Sequence, residues 1–425
     1  MALSRRAVET SRDSANTDLL LGILRNLWDA ETNPDGYVSL GIAENSLMSD
    51  VLIKHMQDHM DIPRIALTYG DGFTRIRNAA ARFLNKHFKP VRPIKADHIH
   101  ISNGVTPAIQ DLAWAIGNPG DGILLGRPYY VSFLPDVKRR TDVEIVAVSF
   151  GDVDPLGTDG LARYEEEILK AEQRGQRIAG LIVAHPHNPL GKCYPRETLI
   201  GMMRLCQKYQ IHLVSDEIYA LSVFDNKVDE GAAATPFESI LSIDPEGIID
   251  PRLVHVLWGM SKDFGANGLR VGMTISQHSS QMRDALKSVF EFSWMSSLSE
   301  LVTANALEDD EWVESYITEN RRKLSGRQEK VLLWAQRHGI EYTPGANAGF
   351  FVWVNLGGVY QEHHPDVEGD LSKTVMQALL DNKVFLADGT SFGSEKPGWF
   401  RIVFSQELPY LEEGLRRIIA TVKGE

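Results

Sequence analysis

Lys262 stands in the run Ser261-Lys262-Asp263-Phe264-Gly265-Ala266-Asn267-Gly268-Leu269-Arg270-Val271-Gly272, shortly after the apolar stretch Leu253 to Trp258. A lysine at the carboxyl end of a buried strand lies where ligands of α/β sheets collect. There it can shed its proton and form a Schiff base with an aldehyde. The glycines allow a tight turn and a close approach of backbone to a ligand. Arg270 adds a planar fork suited to phosphate. Any one lysine is more often a solvated loop residue, so the case depends on its surroundings. The other eye-catching pair, His363-His364, lies in the acidic insert Tyr360 to Ser372. It reads as part of a solvated loop, and no metal ligands are assigned.

The elements that must position Lys262 are legible in the alternation of short apolar runs with amphipathic stretches. The runs are His98 to Ser102, Gly122 to Gly126, Val143 to Phe150, Ile178 to Ala184, Ile211 to Ser215 and Leu253 to Trp258. Helical patterns such as Ala162 to Gln173 and Arg196 to Tyr209 fall between them. This order predicts an α/β fold with a mainly parallel sheet covered by helices. From Ser299 the pattern changes to long polar helices, including Ser315 to His338, and then to two strand-like runs, Gly349 to Val354 and Trp399 to Phe404. Near the start, Thr17 is placed to cap a helix carrying Leu19, Leu20, Ile23, Leu24 and Leu27. The expected organisation is a large domain over 50–300 and a smaller α+β domain built from 1–49 and 301–425.

The 425 residues carry 44 Lys plus Arg against 57 Asp plus Glu, a formal charge of −13 that disfavours a nucleic-acid partner. The longest apolar runs are of strand length, far short of a membrane span. Two cysteines, Cys193 and Cys206, leave no disulfide framework. The basic start Met1 to Arg6 is followed at once by Glu9 and Asp13, and a cytoplasmic location is expected.

The stretch around Lys262 resembles the lysine motif of fold-type-I pyridoxal-phosphate (PLP) enzymes, the class I/II aminotransferase family. Four further motifs occur in that family's order: Asn103-Gly104-Val105-Thr106, Asn188-Pro189-Leu190-Gly191, Ser215-Asp216-Glu217-Ile218-Tyr219 and Pro397-Gly398-Trp399-Phe400-Arg401. The resemblance spans nearly the whole chain and implies a seven-stranded sheet in the large domain. It also implies roles. Asp216 would face the pyridine nitrogen, and Tyr219 and Asn188 would donate to the ring's phenolic oxygen. Tyr130 and Ile218 would lie on opposite faces of the ring. Val105, Thr106 and Arg270 would hold the phosphate end, and Ser261 would also bind the cofactor. Tyr69, in Leu67-Thr68-Tyr69-Gly70, resembles the tyrosine that reaches a neighbouring subunit's phosphate, which implies a homodimer. Gly259 departs from the pattern, since Ser or Thr is frequent there, and somewhat weaker PLP retention is expected.

Arg401 resembles the arginine that grips the α-carboxylate of an amino-acid substrate, Asn188 is expected to bind the substrate as well, and Lys262 would remove the α-proton. Gly41-Ile42-Ala43-Glu44-Asn45 resembles the Ala-Glu-Asn segment of 1-aminocyclopropane-1-carboxylate (ACC) synthases, as do Glu319-Asn320-Arg321 after Tyr316 and Gly345 to Phe351. Within that subfamily Glu44 would lie beside the substrate and suit a cationic one such as S-adenosylmethionine. Val131-Ser132 and Ser46 depart from the subfamily's Pro-Gly and Gln. Related enzymes of microbial secondary metabolism cleave C–S bonds in other amino-acid conjugates. The expected function is therefore PLP-dependent C–S lysis of the ACC-synthase-like type. Aminotransfer is the alternative, and a non-catalytic PLP-binding protein a more distant one.

Overall fold

All six apolar runs between residues 98 and 258 fold as strands, and one more joins them. The computed structural model describes residues 3–12, 14–69, 72–229 and 234–424. In chain order the strands are β1 (Ile99–Ser102), β2 (Gly122–Gly126), β3 (Glu144–Val148), β4 (Ile178–Ala184), β5 (His212–Asp216), β6 (Val254–Gly259) and β7 (Gly272–Ile275). They form one seven-stranded sheet in the order β1-β7-β6-β5-β4-β2-β3. Every neighbouring pair is parallel except those made by β7, which runs antiparallel to β1 and β6.

Alternating side chains feed two cores. Leu124, Leu181, Leu213 and Val256 face one way, onto Tyr164 and Ile168 of the helix Leu161–Gln173 and Leu199 and Met202 of Arg196–Tyr209. Ile123, Leu125, Ile182, Val214 and Leu257 face the other way, onto Ile109 and Leu112 of the helix Val105–Ile116. Burial on both faces is why these strands read as continuous apolar runs. β7 was not anticipated. Its four residues directly follow the glycine-rich turn and are too few to show a period.

Towards the C-terminus, the helix Asp310–Arg337 starts five residues before the expected Ser315, because Asp309 caps it by accepting the Trp312 N–H at 3.0 Å. A four-stranded antiparallel sheet follows, formed by β8 (Glu341–Tyr342), β9 (Phe351–Asn355), β10 (Ala387–Asp388) and β11 (Trp399–Val403) in the order β10-β11-β9-β8. The two-residue strand Val38–Ser39 pairs in parallel with Val384–Phe385, tying the N-terminal segment to this C-terminal part.

Three local expectations are corrected. Thr17 does not cap a helix; it lies inside the helix Ser14–Leu24, which begins earlier. That helix buries Ile23 but leaves Leu19, Leu21 and Leu24 exposed, so its leucines are not core. The insert Tyr360 to Ser372 is helical at both ends, within Leu356–His363 and Leu371–Asp381. His364 stacks on Tyr360 at 4.2 Å while His363 bonds back to the Val359 carbonyl. Among the described residues, no helix is long and apolar enough to cross a membrane.

Candidate active site

The carboxyl ends of β1, β2, β4, β5 and β6 converge on one cavity of about 200 Å³. Its walls include Val105, Thr106, Tyr130, Asn188, Asp216, Ile218, Tyr219, Ser261, Lys262 and Arg270, ten residues the sequence singled out. Each lies at or just beyond a strand end, the position at which an open α/β sheet collects ligands.

The turn after β6 fixes Lys262. Buried Asp263 accepts the Leu221 N–H at 3.2 Å, the Ser222 hydroxyl at 2.8 Å and the Trp258 indole N–H at 3.0 Å. Three residues of the long helix Asp310–Arg337 brace the same turn. The Tyr316 hydroxyl donates to the Phe264 carbonyl, Asn320 links the Asp263 carbonyl to Asn45, and Arg321 Nε donates to the Leu221 carbonyl. Gly265 sits at a φ of 61°, where a Cβ would come within 2.3 Å of the Asn45 carbonyl oxygen. Burial lowers the Lys262 pKa to about 8, aided by the nearby Arg401 charge and opposed by Glu44. An amine in that range is available as a free base near neutral pH. Its Nζ donates to the Ala43 carbonyl at 2.7 Å.

Burial acts oppositely on the acids. The Asp216 carboxyl is pushed up to about 7, with the Ile218 N–H and Lys262 pulling the other way. Asp136, which the sequence reading missed, also lines the cavity and is raised to about 7 by burial despite a hydrogen bond with Thr106. It belongs to the first turn of the helix Phe133–Thr141, and only its spacing from Tyr130 could have drawn attention to it. Asn267, Phe133, Ile109 and Ala184 are the other lining residues not foreseen.

At the N-terminus of the helix Val105–Ile116, Gly104 has a φ of 98°, and a Cβ there would lie 2.3 Å from Arg270 Nη2. Glycine thus lets the guanidinium close onto the first turn, where free amide N–H groups and the helix dipole favour an anion.

Arg401 lies in β11, outside the residues lining the cavity, and reaches it through Asn188. Nη1 donates to Asn188 Oδ1 at 2.9 Å and Nη2 to the Gly41 carbonyl at 2.7 Å. Its guanidinium carbon stands 5.1 Å from the Phe351 ring centre and 4.9 Å from that of Phe392. With Oδ1 engaged, the Asn188 amide nitrogen is left as the donor facing the cavity. Glu44 is exposed and also outside the lining, yet close enough to act on Lys262. Tyr69 is not brought to this cavity. It is 85% exposed and meets the edge of Trp294 among the described residues.

Gly259 has a simple explanation. A Cβ at this position would come within 2.3 Å of the Val271 carbonyl oxygen, because β7 approaches β6 closely here. A serine or threonine does not fit this backbone.

Comparison with known proteins agrees with this arrangement. The profile of the family "Aminotransferase class I and II" matches residues 36–418. The chain belongs to that family. Among curated proteins of this family, the ACC synthase-like protein 1 of Takifugu rubripes is 31% identical over 396 residues, covering 91% of this chain and 62% of its own length. The chain thus spans about three fifths of that relative. A probable aminotransferase of Claviceps purpurea is 31% identical over 412 residues, covering 95% of this chain and 93% of its own. The aspartate aminotransferase of Thermus thermophilus has the same fold, with a TM-score of 0.73 at 21% identity over 99% of this chain and 100% of that one. Members of the family typically use PLP and are typically homodimers acting on amino acids.

The cavity suits that cofactor. Asp136 Oδ2 and Asn267 Oδ1 in its wall, and Arg401 Nε beside it, are buried polar atoms with no hydrogen-bond partner. Such atoms carry a desolvation cost that a polar ligand would relieve.

Proposed function

We propose that this chain is a PLP-dependent C–S lyase of the ACC-synthase-like type acting on a sulfur-substituted α-amino acid. The observation that carries the reading is the segment Gly41 to Asn45. Its carbonyls accept from both Arg401 and Lys262, and the exposed Glu44 carboxylate, outside the cavity lining, is near enough to oppose the lowering of the lysine's pKa. Carboxylate placement there favours a substrate bearing positive charge next to the bond to be broken, such as the sulfonium of S-adenosylmethionine.

Bound in the cavity, PLP would supply an aldehyde for Lys262 and an electron sink for the carbanion formed at the α-carbon. The protein's part is positional and electrostatic. Asp216 would hold a proton at the pyridine nitrogen, a task suited to a carboxylate buried among apolar walls. Tyr219 and the Asn188 amide would donate to the phenolic oxygen, and Tyr130 and Ile218 would flank the ring. The first turn at Val105 and Thr106, with Ser261 and Arg270, would hold the phosphate. Arg401 would take the substrate carboxylate in a two-bond grip, its plane set by Phe351 and Phe392. Lys262, once free, would act as the base at the α-carbon. We further propose a homodimer in which exposed Tyr69 reaches the neighbouring site, and a division into a cofactor-bearing domain over 50–300 and a small domain from both chain ends.

Aminotransfer is the second reading. It is favoured by the name of the Claviceps relative and by Val131-Ser132 beside Tyr130, where the synthase-like pattern differs. The deciding experiment incubates the holoenzyme with S-adenosylmethionine and a panel of cysteine conjugates, with and without a keto acid. ACC, or free thiol with pyruvate, formed without keto acid supports lysis. Product that needs the keto acid and comes with a new amino acid overturns lysis in favour of transamination. The cofactor assignment has its own check: Lys262→Ala should abolish the yellow absorbance of the purified protein, and an unchanged spectrum would sink it.

A further inference from the structure

A cluster outside the active site has the composition of a metal centre. His55 lies in the last turn of the helix Ser49–Asp58 and His59 at its C-cap, four residues on and therefore on the same face. Asp309 is 254 residues away from His55 in sequence, yet its Oδ2 lies 3.3 Å from His55 Nε2. Its other oxygen is engaged in capping the helix Asp310–Arg337. One donor atom from each of the three residues falls within 4.8 Å of the others.

The two imidazoles are held as ligands usually are. His59 Nδ1 bonds to the His55 carbonyl at 2.8 Å, which leaves Nε2 free; metal-binding histidines are commonly oriented by such a bond from the other ring nitrogen. The His55 ring is 4% exposed and fixed between the rings of His59 and Trp312, each with its centroid 4.2 Å away. Its Nε2, the ring nitrogen an ion in the cluster would meet, faces the Asp309 carboxylate. The adjoining cleft is lined by Asp58, Asp61, Glu308, Asp309, Asp310 and Arg75; Asp58 pairs with Lys54, Glu308 with Arg75 and Asp310 with Arg82, so the acidity open to a cation lies mainly at Asp61 and Asp309.

We propose that His55, His59 and Asp309 bind one zinc-class divalent cation that clips the end of the helix Ser49–Asp58 to the start of the helix Asp310–Arg337. Two imidazoles and one carboxylate, with a fourth position open to the cleft, suit zinc's borderline-soft tetrahedral preference. Bond lengths of about 2.0–2.2 Å put the donors of such a site roughly 3.3 Å apart. Closing the present separation requires the exposed His59 ring to swing inward. The clip would steady the helix that carries Tyr316, Asn320 and Arg321, the residues bracing the Lys262 turn.

The test uses chelator-dialysed holoenzyme titrated with zinc chloride against a chromogenic competitor. Cobalt chloride follows as a spectroscopic probe of tetrahedral geometry. The expected result is one ion per chain, a rise in Tm with zinc and cobalt d–d bands. His59→Ala should weaken uptake at least about tenfold and remove the Tm response, with circular dichroism and PLP absorbance unchanged. His59→Gln serves as the second variant should alanine disturb the helix end. Absence of saturable one-to-one uptake, or uptake equal in both variants and the parent, overturns the proposal. The latter result would place the ion at the PLP site or on the surface.

Discussion

Lys262 and Asp216 are moved in opposite directions by the same burial, the amine down to about 8 and the carboxyl up to about 7. Desolvation disfavours whichever form is charged, so the two groups approach each other's range and can exchange protons near neutrality. Glu44 works against the shift on Lys262. Capture of PLP by apoprotein needs the free amine, so its rate should climb as pH rises through about 8, and Glu44→Gln should move that rise to lower pH. Stopped-flow mixing of apoprotein with PLP across pH reads this directly; an unmoved profile would remove Glu44 from the lysine's environment. Glu217 gives a stability prediction apart from catalysis. It accepts the Ser215 hydroxyl and the Ile240 N–H, and burial raises its pKa from 4.5 to about 8. The folded protein therefore holds a proton there that the unfolded chain releases above about 4.5. Stability from this group is complete below that value and is lost as pH rises through about 8. The urea midpoint should fall between about pH 5 and 8 and fall less in Glu217→Gln, with a slope equal to the parent's counting against the assignment.

At the scale of elements, the close pairing of β6 with β7 decides a residue that the sequence marked only as a departure. Gly259 is glycine because the Val271 carbonyl occupies the space of a side chain. Gly259→Ser should therefore not strengthen PLP retention, as a simple comparison with family sequences would suggest. It should destabilise the protein by about 1–3 kcal/mol through overpacking and speed cofactor loss. Denaturant unfolding and the PLP dissociation rate check both, and a tighter-holding serine variant would refute the steric account. The same scale shows why Tyr316, Asn320 and Arg321 form a motif: spaced along one helix, Tyr316 and Asn320 meet the turn at Phe264 and Asp263, Arg321 holds the Leu221 carbonyl beside it, and Asn320 also meets the Asn45 segment. A pattern in sequence becomes a brace only when that helix lies across the lysine turn.

For the whole molecule, the exposed side chains near Tyr69 point to a second copy. Leu67 is 83% and Tyr69 85% exposed, neighbouring apolar side chains unusual for a surface left to water. Light scattering should give twice the chain mass of 47.5 kDa. Tyr69→Phe should leave that mass unchanged and raise the PLP dissociation rate several-fold, about the loss of one hydrogen bond to a charged group. A monomer, or a variant that keeps PLP as well as the parent, would remove Tyr69 from the site.

By itself the sequence determined six of the seven large-sheet strands and the lysine turn, because strands buried on both faces and glycines in tight turns leave local marks in composition, while the five motifs were recognised by their resemblance to a known family. Lys262 and Arg270 were legible from their own surroundings; the other eight foreseen cavity residues came from the resemblance of their motifs to a known family, and the strand ends they follow explain why those motifs meet. Only the tertiary structure decided what depends on distant partners. β7 is four residues long and is defined by the strands on either side of it. Asp136 lines the cavity because its helix returns past Thr106. Asp309 meets His55 across most of the chain, and Arg401 finds Asn188 across two sheets. Such contacts have no local period to read, since they arise from how the elements lie on one another once the cores have closed.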